Sequence, residues 1–390
     1  MNLSFYLIGL LFLAIYLLFS FYVGLRSFQT CKAFFPGMKA MIFWPIYIVI
    51  AFAYLINRAE GFENGILEII GSYWIAAFLY LFIFYVMFDL VGMAISAWHA
   101  FRPAKKRLSV WALYWKTRKP YSLVMILTAV ILFAGTWAAR SPVLSKYDLQ
   151  IAKKVPGVQQ LKLVFISDLH IEESANTAYM ETAADTISAL QPDLILLGGD
   201  ILERTLSPGN EKKLDAVLSR LKAKQGIYAV LGNHEYYGGQ EEQITAHLQE
   251  QGVKVLRDQL DEILNAQIYI AGRSDYSGGQ TKTSERKPLA EMLKGTDPSK
   301  PLILLDHQPQ TVAIQEAKDA GVDLMLSGHT HGGQLFPVQW ITKAIYIVDR
   351  GLWQDGNLNL IVSTGLGLWG TPVRTSSRSE IVEVNVWFPQ

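Results

Sequence analysis

The sequence predicts an α/β protein in two parts: an amino-terminal region of four transmembrane helices, then a layered α/β domain. Three observations carry this. The chain of 390 residues is 51% hydrophobic, and its charge is unevenly spread: residues 1–140 hold 12 of the 35 Lys+Arg and 4 of the 34 Asp+Glu, the remainder 23 and 30. Four long apolar stretches fall in the basic part. Beyond residue 160, short apolar runs alternate with helical periodicity, and five of those runs end in Asp, Asn or His. A mean hydropathy of +0.21 with 18% charged residues excludes a disordered polymer, a collagen-like repeat and a small disulfide scaffold. The single cysteine, Cys31, excludes an intrachain disulfide and a Cys-based zinc module. The net-acidic remainder lacks clustered basic residues, so nucleic acid is not expected as a partner.

The four stretches, about 3–25, 36–56, 69–92 and 121–139, each approach the roughly 20 residues needed to cross a bilayer. They define a membrane region over 1–140. The first lacks a basic n-region and a small-residue cleavage site, so it reads as a retained helix rather than a signal peptide. Arg26, Lys32 and Lys39 mark the first loop; Arg102, Lys105, Lys106, Arg107, Lys116, Arg118 and Lys119 mark the third. The second has Arg58 beside Glu60, Glu63 and Glu68. The positive-inside rule then predicts a multi-pass cytoplasmic (inner) membrane protein with its carboxy-terminal domain on the extracytoplasmic face. Arg140, Lys146, Lys153 and Lys154 oppose this weakly. Asp89 admits two readings: a functional intramembrane acid, or a third helix that ends near Asp89 with Leu90–Ala100 along the interface, where Trp98 and His99 fit. Trp111, Tyr114 and Trp115, interleaved with the third-loop bases, suggest contact with anionic lipid. Residues 141–159 read as a juxtamembrane linker, leaving 160–390 as the domain.

Within the domain, Leu161–Ser167, Asp193–Leu197, Gly226–Leu231, Lys254–Leu256, Gln267–Ala271, Pro301–Leu305, Val322–Leu326, Leu358–Ser363 and Glu380–Val386 read as strands. Asn176–Leu190, Glu211–Lys224, Glu241–Gln251 and Gln310–Ala320 read as helices. Near-continuous apolar strands alternating with helices indicate a largely parallel sheet covered on both faces. The carboxyl ends of such strands face a common crevice. There the sequence places Asp168 and His170, Asp200, Asn233 and His234, His307, and His329 and His331. Of seven histidines only His99 and His247 lie elsewhere, and His247 reads as a surface residue. Gly198-Gly199 and Gly232 permit tight turns before Asp200 and Asn233. Ser167 precedes a candidate ligand but has no base of its own, so it reads as structural.

Mixed imidazole and carboxylate donors suit Mn, Fe, Zn, Co or Ni better than calcium. There are more donors than one tetrahedral ion needs, so two ions are expected. Such a pair, about 3.5–4 Å apart, can hold a bridging hydroxide and clamp an in-line displacement at phosphorus.

Asp168-Leu169-His170, Gly199-Asp200, Gly232-Asn233-His234-Glu235, His307 and Gly328-His329-Thr330-His331 together resemble the calcineurin-like metallophosphoesterases. The run from Gly328 to Gln334 and the region from Gly365 to Ile381 look closest to that family's membrane-linked bacterial branch. The four helices favour its group of transmembrane proteins with a metallophosphoesterase domain. The resemblance implies a two-sheet β-sandwich flanked by helices, and two divalent ions, Mn, Zn or Fe. It implies Asp168, His170 and His331 on one ion, Asn233, His307 and His329 on the other, and Asp200 on both. His234 would bind the phosphoryl oxygen or protonate the leaving group, with Glu235 orienting it. Glu203 either supports the site or starts a solvated helix.

The resulting expectation is metal-dependent hydrolysis of a phosphomonoester, phosphodiester or pyrophosphate. An apolar lip of Leu366, Leu368, Trp369 and Pro372 beside Arg374 and Arg378 would favour a lipid or membrane-linked phosphoester; a hairpin packed on its own domain is the competing reading. The alternative function is a non-catalytic membrane-anchored binding protein built on the same fold, which loss of a ligand would mark; none is lost.

Overall fold

The computed structural model describes residues 3–57, 64–100, 121–172, 177–203, 205–281 and 286–390. The chain forms two compact units, a helical one up to Gly135 together with Gly370–Pro372, and an α/β one of Thr136–Trp369 and Val373–Gln390.

The helical unit contains α1 (Leu3–Phe34), α2 (Ala40–Asn57), α3 (Gly65–Ala100) and most of α4 (Ser122–Ala139). All four are long and apolar enough to cross a membrane. Leu10, Phe12, Met41, Ile66 and Phe133 point outward, as lipid-facing residues must, while Ser20, Ser27, Thr30, Tyr47 and Tyr85 are buried. Ser20 Oγ lies 3.1 Å from Tyr47 Oη and Ser27 Oγ 3.2 Å from Tyr85 Oη. A Cβ at Gly71 would come within 2.4 Å of the Tyr54 backbone, so α2 and α3 approach through a residue without a side chain.

The third helix does not end near Asp89; it continues to Ala100. The carboxylate has found partners, which removes the reason to stop. Asp89 forms an ion pair with Arg26 at 2.5 Å and accepts hydrogen bonds from Tyr22 Oη at 2.7 Å and Tyr121 Oη at 2.6 Å. α1 likewise runs on past Arg26 to Phe34. Arg58, Glu60, Glu63, the third-loop bases, Trp111, Tyr114 and Trp115 lie outside the described residues.

Among the described residues the α/β unit has twelve strands: β1 (Val143–Gln150), β2 (Gln160–Ile166), β3 (Leu194–Leu197), β4 (Ile227–Ala229), β5 (Val253–Val255), β6 (Gln259–Ile263), β7 (Ile268–Gly272), β8 (Leu302–Leu305), β9 (Leu324–Ser327), β10 (Gly351–Asp355), β11 (Leu358–Val362) and β12 (Glu380–Trp387). They form two six-stranded mixed sheets, ordered β1-β12-β2-β3-β4-β5 and β10-β11-β9-β8-β7-β6. Side-chain alternation explains the layering. Leu161, Leu163 and Phe165 of β2, and Leu194 and Leu196 of β3, share one core with Ile268, Ile270, Ile303, Leu305, Leu324 and Leu326 of the other sheet. The alternate residues Val164, Ile166, Ile195 and Leu197 pack on helices through Met180, Ile187, Leu214 and Ile244. On the second sheet's far face, Leu302, Leu304 and Met325 meet Ala313, Ile314 and Ala317. Both faces of each central strand are buried, so the runs read as continuously apolar.

Residues 141–159 are not simply a linker. Val143–Gln150 pairs in parallel with β12 over its full length, from Val143 opposite Glu380 to Gln150 opposite Trp387. The run VLSKYDLQ is half polar because only one face of this edge strand is covered. β6 and β10, also absent from the expected strands, are edges for the same reason. The helix expected over Glu211–Lys224 spans Pro208–Leu218, started by a capping box between Ser207 and Asn210.

Candidate metal centre

Five strands deliver the candidate residues. β2 leads through Ser167 to Asp168 and His170; β3, through Gly198-Gly199, to Asp200; β4, through Gly232, to Asn233 and His234; β8 to His307; and β9, through Gly328, to His329 and His331. Positive φ in a non-glycine residue is uncommon. Of eleven such residues among those described, five are Asp168 (φ 54), His170 (φ 45), Asp200 (φ 50), His329 (φ 70) and His331 (φ 50). Each left-handed residue costs roughly 1–2 kcal/mol, and such costs concentrate where side-chain direction is functionally constrained.

The glycines have a matching cause. A Cβ on Gly232 would fall 2.2 Å from Asp200 Oδ1, and one on Gly328 2.3 Å from Asp168 Oδ2. A Cβ on Gly367 would lie 1.9 Å from the Leu169 carbonyl oxygen. Backbone wraps the two carboxylates so closely that no side chain fits.

Two groups result. In the first, His170 Nε2 and His331 Nε2 are 3.1 Å apart, and Asp168 Oδ1 is 3.6 Å from His331 Nε2. In the second, Asn233 Oδ1 lies 3.2 Å from His307 Nε2 and 2.8 Å from His329 Nδ1. Asp200 reaches both: its Oδ2 is 3.1 Å from His307 Nε2 and 3.7 Å from His170 Nε2. Asp168–His170–His331 and Asp200–His307–His329 each have the spacing to hold a metal ion.

Backbone and buried acids aim these rings. Glu203 Oε2 meets His170 Nδ1 at 2.7 Å, and the Gly198 carbonyl meets His307 Nδ1 at 2.7 Å. An imidazole held at Nδ1 by an acceptor directs its Nε2 lone pair at the centre. The backbone N–H of His329 donates to Asp168 at 2.8 Å, and that of His234 to Asp200 at 2.9 Å.

The electrostatics fit cations. Burial opposes charge on His170, yet Glu203, Asp200 and Asp168 push its pKa up to about 9. Burial likewise opposes charge on His307, and Asp200 holds it well above the ordinary range. Asp200 sits well below the usual carboxylate range, its burial outweighed by His307 and His170. Burial, His170 and Arg374 keep His331 well below its usual value. The buried carboxylates thus call for positive charge, which divalent ions can supply to a set of borderline N and O donors.

Other expected residues are placed differently. Glu203 is buried, not a solvated helix start, and lies against His170 and His234. Glu235 does not orient His234. Its carboxylate accepts from the backbone N–H groups of Asp200, Leu202 and Gly232, so it holds the two loops together. Burial and then Asp200 push its pKa up to about 7. His234 is instead held at Nδ1, 2.7 Å from the Glu203 carbonyl. Arg374 is 1% exposed and donates to the Gly365 and Gly367 carbonyls, with Nη2 3.3 Å from His331 Nδ1. It braces this loop rather than facing substrate. Arg378 stacks over Trp137 at 5.5 Å and donates to the Ser141 carbonyl, tying the end of α4 to the sheet. Leu366 is core and Trp369 is 55% exposed. His247 is buried, 2.8 Å from Asp215 Oδ1.

Sequence reasoning missed Asp275, which accepts from Gln308 Nε2 at 2.9 Å and so steadies the loop carrying His307. It follows β7 as the other acids follow their strands, and only the lack of a neighbouring histidine hid it. It also missed Tyr346, whose ring lies 6.2 Å from that of His329.

The profile of the calcineurin-like phosphoesterases matches residues 161–333. An uncharacterized metallophosphoesterase of Aquifex aeolicus is 35% identical over 62% of this chain and 90% of its own length. Cj0846 of Campylobacter jejuni, also an uncharacterized metallophosphoesterase, is 27% identical over 95% of this chain and 99% of its own. The Bos taurus transmembrane protein with metallophosphoesterase domain is 30% identical over 69% of this chain and 63% of its own. The chain belongs to the calcineurin-like phosphoesterase family. With its four apolar helices it is a membrane protein carrying a metallophosphoesterase domain, a class whose general activity is metal-dependent phosphoester hydrolysis.

Proposed function

We propose that this chain hydrolyses a phosphate ester at a two-metal centre on the extracytoplasmic face of the membrane. The observation that carries the reading is the single carboxylate of Asp200 lying within 3.7 Å of imidazoles from both donor groups. Asp168, His170 and His331 would hold one ion, and Asn233, His307 and His329 the other. Bound divalent ions offset phosphoryl charge and lower the pKa of a bound water. His234 is fixed with its Nδ1–H on the Glu203 carbonyl, so the doubly protonated ring would give its Nε2 proton to the departing oxygen and be left as neutral imidazole. Glu203 aims His170 through its carboxylate and His234 through its backbone carbonyl, so replacing its side chain would release His170 while the carbonyl still holds His234.

The basic first and third loops support the orientation. Protease added to intact spheroplasts is expected to release the region after Ala139; resistance of that region with cleavage between 101 and 120 would place the domain inside.

The central test uses the full chain in detergent, stripped with chelator and reloaded separately with Mn, Zn and Fe. Two ions per chain and recovery of phosphodiester or phosphomonoester turnover are expected. One ion, or turnover unaffected by chelation, would overturn the reading.

A further inference from the structure

The stretch after the last candidate ligand carries an unusual surface. Phe336, Trp340, Ile341, Ile345 and Ile347 are all exposed, Trp340 by 65% and Ile345 by 64%. The helix Gln339–Ile345 buries none of its own residues. Exposed Trp369 belongs beside this stretch: Gln334 Nε2 donates to the Trp369 carbonyl at 2.9 Å, and Trp369 N–H donates back to Gln334 Oε1 at 3.1 Å. The expected lip at Leu366–Trp369 therefore contributes one residue, and the larger apolar surface comes from 336–347. Scattered exposed apolar residues are ordinary; five within twelve residues, with the Phe336 and Trp340 rings 5.3 Å apart, are not.

The patch is joined to the candidate metal centre. Tyr346 lies against His329. Thr342 Oγ1 donates to Asp349 Oδ2 at 2.8 Å, and Thr330 Oγ1, between His329 and His331, donates to the Asp349 carbonyl at 2.5 Å. The helix thus stands on the loop that carries two candidate ligands.

The α/β unit also begins at the end of α4, a helix long and apolar enough to cross a membrane. The last turn of α4 is bonded into its sheet, Ser379 Oγ donating to the Ala139 carbonyl at 2.6 Å, and exposed Trp137 is covered by Arg378. Trp beside apolar side chains, with the exposed Lys343 on the same helix, is the composition of a segment lying in the headgroup region.

We propose that the surface of Phe336, Trp340, Ile341, Ile345, Ile347 and Trp369 lies in the lipid–water interface of the membrane that α1–α4 span, and that it presents bilayer phospholipid phosphoesters to the centre. The substrate half rests on the phosphoesterase reading above; the insertion half does not. Apolar side chains that leave water on entering the interface hold the domain down. The loop they stand on then opens at headgroup height.

The test uses the full chain with Cys31→Ser, reconstituted in phosphatidylethanolamine–phosphatidylglycerol vesicles. An environment-sensitive fluorophore is attached at Ile345→Cys or, as control, at Val312→Cys on a different helix. Quenching by nitroxide-labelled lipid is expected at position 345 and not at 312. No quenching at 345, or equal quenching at both, would overturn insertion. No quenching with an efficient crosslink between two Ile345→Cys chains would assign the patch to a second copy and equally overturn it. In a second arm, Trp340→Ser/Ile341→Ser/Ile345→Ser is compared with the parent on phosphatidic acid in the bilayer and on soluble bis-p-nitrophenyl phosphate. The ratio of lipid to soluble turnover is expected to fall about tenfold, equivalent to about 1.4 kcal/mol. An unchanged ratio with a quenched label overturns the substrate half alone. Loss of all turnover in the metal-loaded parent would count against the phosphoesterase reading and leave the fluorescence result standing.

Discussion

Both units of this chain bury polar groups, and they do so for opposite reasons. In the helical unit the buried polar residues close on one another. Ser20 meets Tyr47, Ser27 meets Tyr85, and Asp89 gathers Arg26, Tyr22 and Tyr121, so that charge and hydrogen-bonding capacity are used up locally. In the α/β unit, Asp168, Asp200, Asn233 and four imidazoles converge from five strand ends on common points, and five of the residues accept left-handed backbone to do so. Burial of a polar side chain is therefore not in itself a sign of a site. Convergence of metal-binding donors from many strand ends, at a cost in backbone strain, is.

That contrast can be broken most severely at Asp200. Asp200→Asn keeps the shape but removes the carboxylate that both donor groups share. Metal content and nearly all turnover are expected to fall together while circular dichroism stays unchanged. Retention of both ions would mean that Asp200 does not join the groups. His234→Ala comes next. Its ring lies beside the donors, so full metal content with turnover reduced about 10²–10⁴-fold is expected, less for esters with good leaving groups. Metal loss in this variant would move His234 among the ligands.

Asp89→Ala sharpens the other side. It leaves Arg26 without its counter-charge in the bundle and should destabilise the helical unit by about 3 kcal/mol, read as a lower detergent-denaturation midpoint. Metal content should not change; if it does, Asp89 serves more than helix packing. The smallest effect is expected at His247→Ala. This imidazole spans two helices through Asp215, with Glu211 also near, a trio of metal-binding composition whose members satisfy one another. Loss of about 1 kcal/mol of stability with unchanged turnover and metal stoichiometry would keep it on the structural side of the comparison; a change in stoichiometry would not.

Legibility in the sequence followed burial. Central strands such as Leu194–Leu197 and Leu302–Leu305 were readable because both faces are covered and every position is apolar. The edge strands Val143–Gln150, Gln259–Ile263 and Gly351–Asp355 were not, because one exposed face lets polar residues in and blurs the run. The candidate ligands were readable for a chemical reason: one Asp, Asn or His after an apolar run is an ordinary turn residue, but five such runs ending in metal-binding donors are not. Glu203 was ambiguous because its value lies in a contact to His170 that spacing cannot show. Arg374 was read as facing substrate and Glu235 as orienting His234 because each stands near a motif, whereas burial sets both against backbone groups of neighbouring loops.

By itself, then, the sequence determined composition-driven properties: where the apolar helices fall, which strands are central, and which donor chemistry collects at their ends. Hydrophobic periodicity and ligand type are local and survive in one dimension. The tertiary structure decided which donors share a centre, that Asp200 lies between the two groups, that α3 continues through Asp89 once Arg26 faces it, and that the exposed apolar surface beside the centre comes from Phe336–Ile347. Each of these depends on residues distant in sequence meeting at a few ångströms, and on turns whose φ angles only close packing can enforce.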